Sequence, residues 1–280
     1  MTMNVSQICE LRLVTDISRF VNELSIAVVL VVGALFGTTH SYKGTTPNIK
    51  TIFIGRCLNY QQFQNGRLFE PIKFDCNKLW SVFVSGWAYK DPRSISQNVY
   101  EPFFQLASDT NIPADVILFY SGTSGVAHEF SNQGRRFVTL EDTRIGYLVD
   151  GLNWCGVACH RSNKTCDGIN YKECPHWSEL PEAAAEAFWG GASAKLARSA
   201  VGEARVMITS TNPEKPAYRE NSFFAKFELQ SMPVDTKLKV ILANEPDKEA
   251  LEDCNSGSLL QLKEDAAKKG ISVTCEENPP

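Results

Sequence analysis

Neither sign of charge dominates this sequence. Its 280 residues hold 28 Lys and Arg against 32 Asp and Glu, a net charge of −4. A nucleic-acid partner demands a basic face, so none is expected. No run of like charges offers a polybasic membrane patch, and no internal repeat or low-complexity tract stands out. The signatures GxGxxG, GxxxxGK[ST], HExxH and GxSxG are all missing, which removes the usual dinucleotide, P-loop, zinc-protease and serine-hydrolase readings. Histidine is scarce, with four in the chain. His128 and His160 have no obvious partner nucleophile, so Ser–His or Cys–His catalysis has little support.

The longest apolar stretch, Ile26-Ala-Val-Val-Leu-Val-Val-Gly-Ala-Leu-Phe36, has eleven residues, short of the roughly 20 of a spanning helix. It suits the apolar core of a cleaved signal peptide over residues 1–41, with Gly37 to Ser41 holding the cleavage site. A retained membrane anchor over residues 24–37 and a buried core helix are the alternatives. The first two send the rest of the chain to an oxidising compartment, so the secretory pathway is expected: secreted, granule lumen or cell surface. The C-terminus lacks the hydrophobic tail of a lipid-anchor signal.

Cysteine usage agrees. Of nine cysteines, Cys9 precedes the apolar stretch and eight follow it, an even number that fits four disulfides. Cys155, Cys159, His160, Cys166, Cys174 and His176 invite a zinc reading, but their spacing contains no CxxC pair, so no metal is expected. Asn163-Lys-Thr165 is a glycosylation sequon, placing a surface loop there and making Asn163 the acceptor.

Hydrophobic residues make up 43% of the chain, enough for one large core or two small ones. Thr51-Ile-Phe-Ile54 reads as a short extended entry. Leu79, Trp80, Phe83, Val84 and Trp87 recur at helical spacing, so Cys76 to Tyr89 is an amphipathic helix with both tryptophans in the core. Tyr100 to Ala107 is another helix candidate. Asp115-Val-Ile-Leu-Phe-Tyr120 then reads as a buried strand entering a glycine-bearing loop and a helix over 126–132. Further strand-like runs cover 204–209, 223–229, 238–243 and 271–275. Helices fall over 182–200 and 258–269, the latter closed by Gly270. The fold class is therefore α/β (α+β overall). A helical subdomain (50–113 plus 140–190) packs on an α/β subdomain with a mostly parallel sheet (114–139 plus 191–280). A ligand belongs in the cleft between them. Two acids attract attention: Glu141, after Phe137-Val-Thr-Leu140, and Glu228, at the end of an apolar strand. Taken alone, an acid at a strand end is more often solvated or capping than catalytic.

The blocks Thr139-Leu-Glu-Asp-Thr143, Gly146-Tyr147-Leu148 and Trp154-Cys155-Gly156 alter that balance. So do Phe188-Trp-Gly-Gly-Ala-Ser193, Asn212-Pro213, Pro216-Ala-Tyr-Arg219 and Ser222-Phe-Phe-Ala-Lys-Phe-Glu-Leu229. With Gly55-Arg-Cys57 and Gly257-Ser-Leu-Leu260 they resemble, in collinear order over residues 52–278, the ADP-ribosyl cyclase/cyclic ADP-ribose hydrolase family. The details are more similar to the molluscan branch than to the vertebrate surface glycoproteins.

The resemblance implies an extracytosolic enzyme that cleaves the nicotinamide–ribose bond of NAD, its substrate, with no cofactor. Glu228 is the implied catalytic carboxylate. Trp189 is the implied stacking surface, and Glu141 the acid that meets the nicotinamide carboxamide. Ser121 and Ser193 match phosphate-contacting positions, and Tyr120, Phe223, Phe224 and Asp150 line the substrate. With few local cations expected, hydroxyls, backbone N–H groups and helix N-termini are left to hold the pyrophosphate. Tyr120 departs from the family, which has a second tryptophan there. Phe223 matches the cyclase branch, where the hydrolase branch has threonine, so cyclic ADP-ribose is the expected product. Disulfides Cys57–Cys76, Cys155–Cys174 and Cys254–Cys275 follow family pairs, and Cys159–Cys166 is the extra pair that remains. A further family bridge would fall near Arg93 and Leu180, where both cysteines are absent. Monomer and homodimer both stay open. The competing readings are a plain NAD hydrolase, a non-catalytic binding protein of the same fold, and a structural disulfide-rich module.

Overall fold

The computed structural model describes residues 44–62, 68, 73–109, 112–157, 168–169, 174, 184–244 and 247–278. The apolar segment 26–36, the sequon at Asn163 and the pair Cys159–Cys166 lie outside the described residues. Among the described residues, no helix is long and apolar enough to cross a membrane.

Helix α1 (Ile49–Gln62) buries Ile49, Phe53, Cys57 and Tyr60, a stripe spaced by three and four. The short extended entry expected at Thr51 to Ile54 is thus the first turn of this helix. A run of four residues carries too little periodicity to separate helix from strand. Helix α2 (Cys76–Ser85) starts at Asp75, whose carboxylate accepts the N–H groups of Asn77 and Lys78 at 2.9 and 3.2 Å. The chain reaches α3 (Glu101–Ala107) through a 3-10 turn at Gln97–Tyr100. These elements close on Phe83. Its ring lies 5.2 Å from Phe53 and Trp154 and 5.7 Å from Phe188, mostly in edge contacts. Trp80 and Trp87 are core, at 5% and 0% exposure.

The second half holds a four-stranded sheet: β1 (Leu118–Ser121), β2 (Glu203–Ile208), β3 (Lys237–Leu242) and β4 (Ser272–Glu277). All neighbours pair in parallel, in the order β1-β2-β3-β4. β1 turns into α4 (Ser124–Ser131), and a short α5 (Arg144–Tyr147) follows. Helix α6 (Ala184–Arg198) precedes β2. α7 (Leu229–Ser231) lies between β2 and β3, and α8 (Ser258–Lys268) between β3 and β4. Gly270 follows α8 with φ +75, as its capping place requires.

The two largest apolar clusters form around these halves, and α6 serves both. Its Ala187, Phe188 and Ala192 belong to the helical cluster, its Leu196 and Ala197 to the sheet cluster. Gly190 and Gly191 permit this close approach. A Cβ at Gly190 would stand 2.8 Å from the Phe227 ring, and one at Gly191 2.6 Å from Phe104.

Disulfides join Cys57 to Cys76, Cys155 to Cys174 and Cys254 to Cys275. Each contributes about 2–4 kcal/mol by restricting the unfolded chain. The second bridge occupies two sulfurs of the zinc alternative, which removes them as thiolate ligands.

One expected strand is absent. Residues 223–229 are helical: a π-helical turn at Phe224–Glu228 runs straight into α7. Phe224, Ala225, Glu228 and Leu229 are buried, the i, i+1, i+4, i+5 pattern of a helix face. Ser222 begins the turn, its hydroxyl accepting the Ala225 N–H at 3.1 Å. That N-cap serine was the sequence signal for a helix here.

Candidate active site

Glu228 ends the π-helical turn. Leu229 N–H donates to the Phe224 carbonyl five residues back, so this turn holds one residue more than an α-turn. The carboxylate is 7% exposed. Ser193, facing it from α6, donates a hydrogen bond. Oε2 is buried with no hydrogen-bond partner among the described residues.

Burial raises the Glu228 pKa from 4.5 to about 8; the Ser193 bond opposes the shift and the charge of Glu141 adds to it. Between those values the folded protein holds a proton that the unfolded chain has released. Stability therefore falls as pH rises from about 4.5 to about 8. Glu228→Gln removes this dependence. Its thermal midpoint is expected to exceed that of wild type by more at pH 8 than at pH 4.5. Equal pH dependence in the two proteins refutes this.

Glu141 lies in a 3-10 turn, Leu140–Asp142. The turn is pinned from several sides. Asp142 Oδ2 accepts from both the N–H and the hydroxyl of Thr139, at 3.0 and 2.9 Å. The Thr143 hydroxyl accepts from Gly146 N–H at 3.3 Å. Below it sits a buried ion pair, Arg144 to Asp109 at 3.6 Å, with the guanidinium 4.3 Å from the Phe74 ring centre. Asp109 Oδ2 also accepts from Arg144 N–H at 2.7 Å and from Tyr60 Oη at 3.1 Å, and Tyr60 Oη lies 3.3 Å from the Asp142 carbonyl. Tyr60→Phe strips these bonds from buried acceptors. It is expected to cost about 1–3 kcal/mol, read as a lower urea midpoint at unchanged slope.

Tyr120, near the end of β1, donates to Glu141 Oε1 at 2.6 Å. Its pKa is pushed far up, first by burial, then by Glu141, Asp150 and Glu228. The charges of these three acids thus act on one hydroxyl. Asp150 is exposed, with its backbone carbonyl held by Arg56 at 2.6 Å. Trp189 is half-buried on α6, edge-on to Phe188 at 5.5 Å. It stands one turn before Ser193, so both project from one face. Phe223 is half-buried at the start of the π-helical turn, 5.1 Å from Phe227. Phe224 does not belong with them. It is 1% exposed and packs on Phe119 and Tyr218, so it backs the site and cannot line the substrate.

Three features escaped the sequence. Arg219 Nη2 donates to Ser121 Oγ at 3.1 Å, which puts a cation beside a position where few were expected. Only its place inside the Pro216–Arg219 block hinted at this. His128 meets Tyr120 edge-on at 5.5 Å. And the Ser193 hydroxyl, expected on phosphate, lies where it favours the charged form of Glu228. Among the described residues, no group of three His, Cys, Asp or Glu is placed to hold a metal.

Residues 46–280 match the family model described as ADP-ribosyl cyclase. The ADP-ribosyl cyclase/cyclic ADP-ribose hydrolase of Aplysia kurodai is 37% identical over 235 residues, covering 84% of this chain and 81% of that protein. The crystal structure of Aplysia cyclase complexed with substrate NGD and product cGDPR superposes with a TM-score of 0.76 at 35% identity, over 84% of this chain and 90% of that one. Porcine CD38, solved with a covalent intermediate, ribo-F-ribose-5'-phosphate, superposes with a TM-score of 0.70 at 27% identity, over 84% of this chain and 98% of that one. The chain belongs to the ADP-ribosyl cyclase family.

Proposed function

We propose that this protein cleaves the nicotinamide–ribose bond of NAD and forms cyclic ADP-ribose, with Glu228 as the catalytic carboxylate. The observation that carries this is a buried acid whose Oε2 has no hydrogen-bond partner among the described residues. Nicotinamide in NAD is a cationic pyridinium. When its bond to C1′ breaks, the electron pair stays on the ring nitrogen and the neutral base leaves. No general acid is needed, which relaxes the two-carboxylate requirement of ordinary glycosidases. What the transition state needs is negative charge at the ribosyl carbon; Glu228 supplies it once ionised, a form that the cationic pyridinium of bound NAD favours against the burial that raises its pKa to about 8. Capture as a glycosyl ester is the covalent form of the same step, and the porcine relative's covalent intermediate supports that form here.

The other residues divide the substrate between them. Trp189 stacks on the pyridinium, with cation–π attraction before cleavage that is lost after it. Glu141 Oε2 accepts the carboxamide N–H. Ser121 and Arg219 take the pyrophosphate, and Asp150 and Tyr120 line the entrance. Phe223 excludes water and favours return of the adenine ring. Glu141, Asp150 and Trp189 come from the helical part (50–113 plus 140–190). Tyr120, Ser121, Ser193, Phe223 and Glu228 come from the α/β part (114–139 plus 191–280). We read the site as the cleft between these two subdomains. Three disulfides among the described residues support an oxidising, secretory-pathway location.

Incubation of the oxidised protein with NAD, with products resolved by chromatography, tests the proposal. Nicotinamide with cyclic ADP-ribose is expected. No release of nicotinamide overturns it, and release with ADP-ribose alone overturns the cyclase part.

A further inference from the structure

We propose that the Tyr120 hydroxyl sets the fate of the ribosyl cation by holding Glu141 Oε1 and weakening that carboxylate as an acceptor and base for water. This rests on the NAD-cleaving function proposed above.

The bond is short, 2.6 Å, and part-buried. A phenol has one proton to give, and here it goes to Glu141. Burial and the surrounding acids hold that proton on the oxygen, so the donor is permanent across the working pH range. The ring is fixed from two sides. Its backbone pairs with Met207 in the parallel sheet, and its edge meets His128. Glu141, by contrast, sits in a three-residue turn, and its Oε2 is buried with no partner among the described residues.

The consequence follows from the charge left on the carboxylate. A carboxylate without a strong donor on it keeps its full charge for a water. After nicotinamide leaves, the cation at C1′ has two possible captors. Attack by N1 of the substrate's own adenine forms the cyclic product and releases one proton from the exocyclic amine. Attack by water forms ADP-ribose and also releases one proton. A carboxylate that binds and polarises a water favours the second route. The short bond from Tyr120 draws charge from Glu141, so the carboxylate polarises such a water less. Tyr120 is thus a positioning residue for product choice, acting through Glu141.

Tyr120→Phe removes one oxygen and keeps the ring. Wild type, Tyr120→Phe, Glu141→Ala and the double variant are incubated with NAD, and cyclic ADP-ribose and ADP-ribose are measured per nicotinamide released. The ADP-ribose share of Tyr120→Phe is expected to rise about fivefold relative to the cyclic product, the effect of one ordinary hydrogen bond. The same substitution in the Glu141→Ala background is expected to change nothing further. A ratio unmoved by Tyr120→Phe, in the presence of wild-type nicotinamide release, overturns this inference alone. So does an equal shift in both backgrounds, and so does a Tyr120→Phe protein that releases no nicotinamide. Wild type that releases none overturns the underlying function, and this inference with it.

Discussion

Glu228→Gln is expected to cut nicotinamide release from NAD by about 10²–10³-fold or more while leaving the fold intact. The amide keeps the shape of the acid and still accepts from Ser193. It lacks the charge that must face the ribosyl carbon as the pyridinium leaves. That charge matters only in the transition state, so the loss belongs in kcat, with KM little changed. Steady-state kinetics on NAD decide the matter. Unchanged kcat removes the mechanism, whereas a pure KM effect makes Glu228 a binding residue. The variant also has a gain to show. Wild type bears the cost of an ionised carboxylate at 7% exposure, and the glutamine does not. Lost activity together with raised stability at alkaline pH is the joint signature of a charge kept for chemistry.

Gly146→Ala is expected to be the most damaging small change near the site. A Cβ there would stand 2.1 Å from the Leu140 carbonyl oxygen, 2.6 Å from its carbon and 2.8 Å from Glu141 Cα. All three are backbone atoms, so no side chain can swing away. The 3-10 turn or α5 must move instead, against the Asp142 and Asp109 hydrogen bonds that pin them. A cost of at least about 3 kcal/mol follows, near the top of the range for overpacking. In a domain of this size that lowers the thermal midpoint by about 6–12 °C. The displaced turn carries Glu141, and a shift of about 1 Å in a positioned group can cost about 100-fold in rate. A midpoint within about 2 °C of wild type, with unchanged products, shows that the turn absorbs the methyl group and removes this account.

Glu228 shows how far local pattern reaches. The run Ser222-Phe-Phe-Ala-Lys-Phe-Glu-Leu229 is rich in aromatics and short, and such runs fit a strand as well as a helix. The deciding fact is that Glu228 and Leu229 are buried beside Phe224 and Ala225, a helix-face pattern. Burial of an acid is not something a hydrophobicity pattern expects, so the pattern points the wrong way at the proposed catalytic position. Thr51 to Ile54 fails for a plainer reason, since four residues span barely one helical turn. Phe224 and Phe223 are adjacent and chemically identical. The turn sends one into the core and leaves the other half-buried, and only its geometry separates them.

By itself the sequence determined the strand–helix alternation of the second half, the helical first half, the even number of cysteines after the apolar stretch and the family blocks. These features rest on local periodicity and on residue identity, which a single chain displays directly. Only the tertiary structure decided the site's electrostatics. Glu141, Tyr120 and Glu228 lie far apart along the chain, and their coupling arises from desolvation and close approach across it. Desolvation is a property of everything packed around a group, so the raised pKa of Glu228, the Tyr120–Glu141 bond and the guanidinium of Arg219 at Ser121 were invisible until the chain was folded.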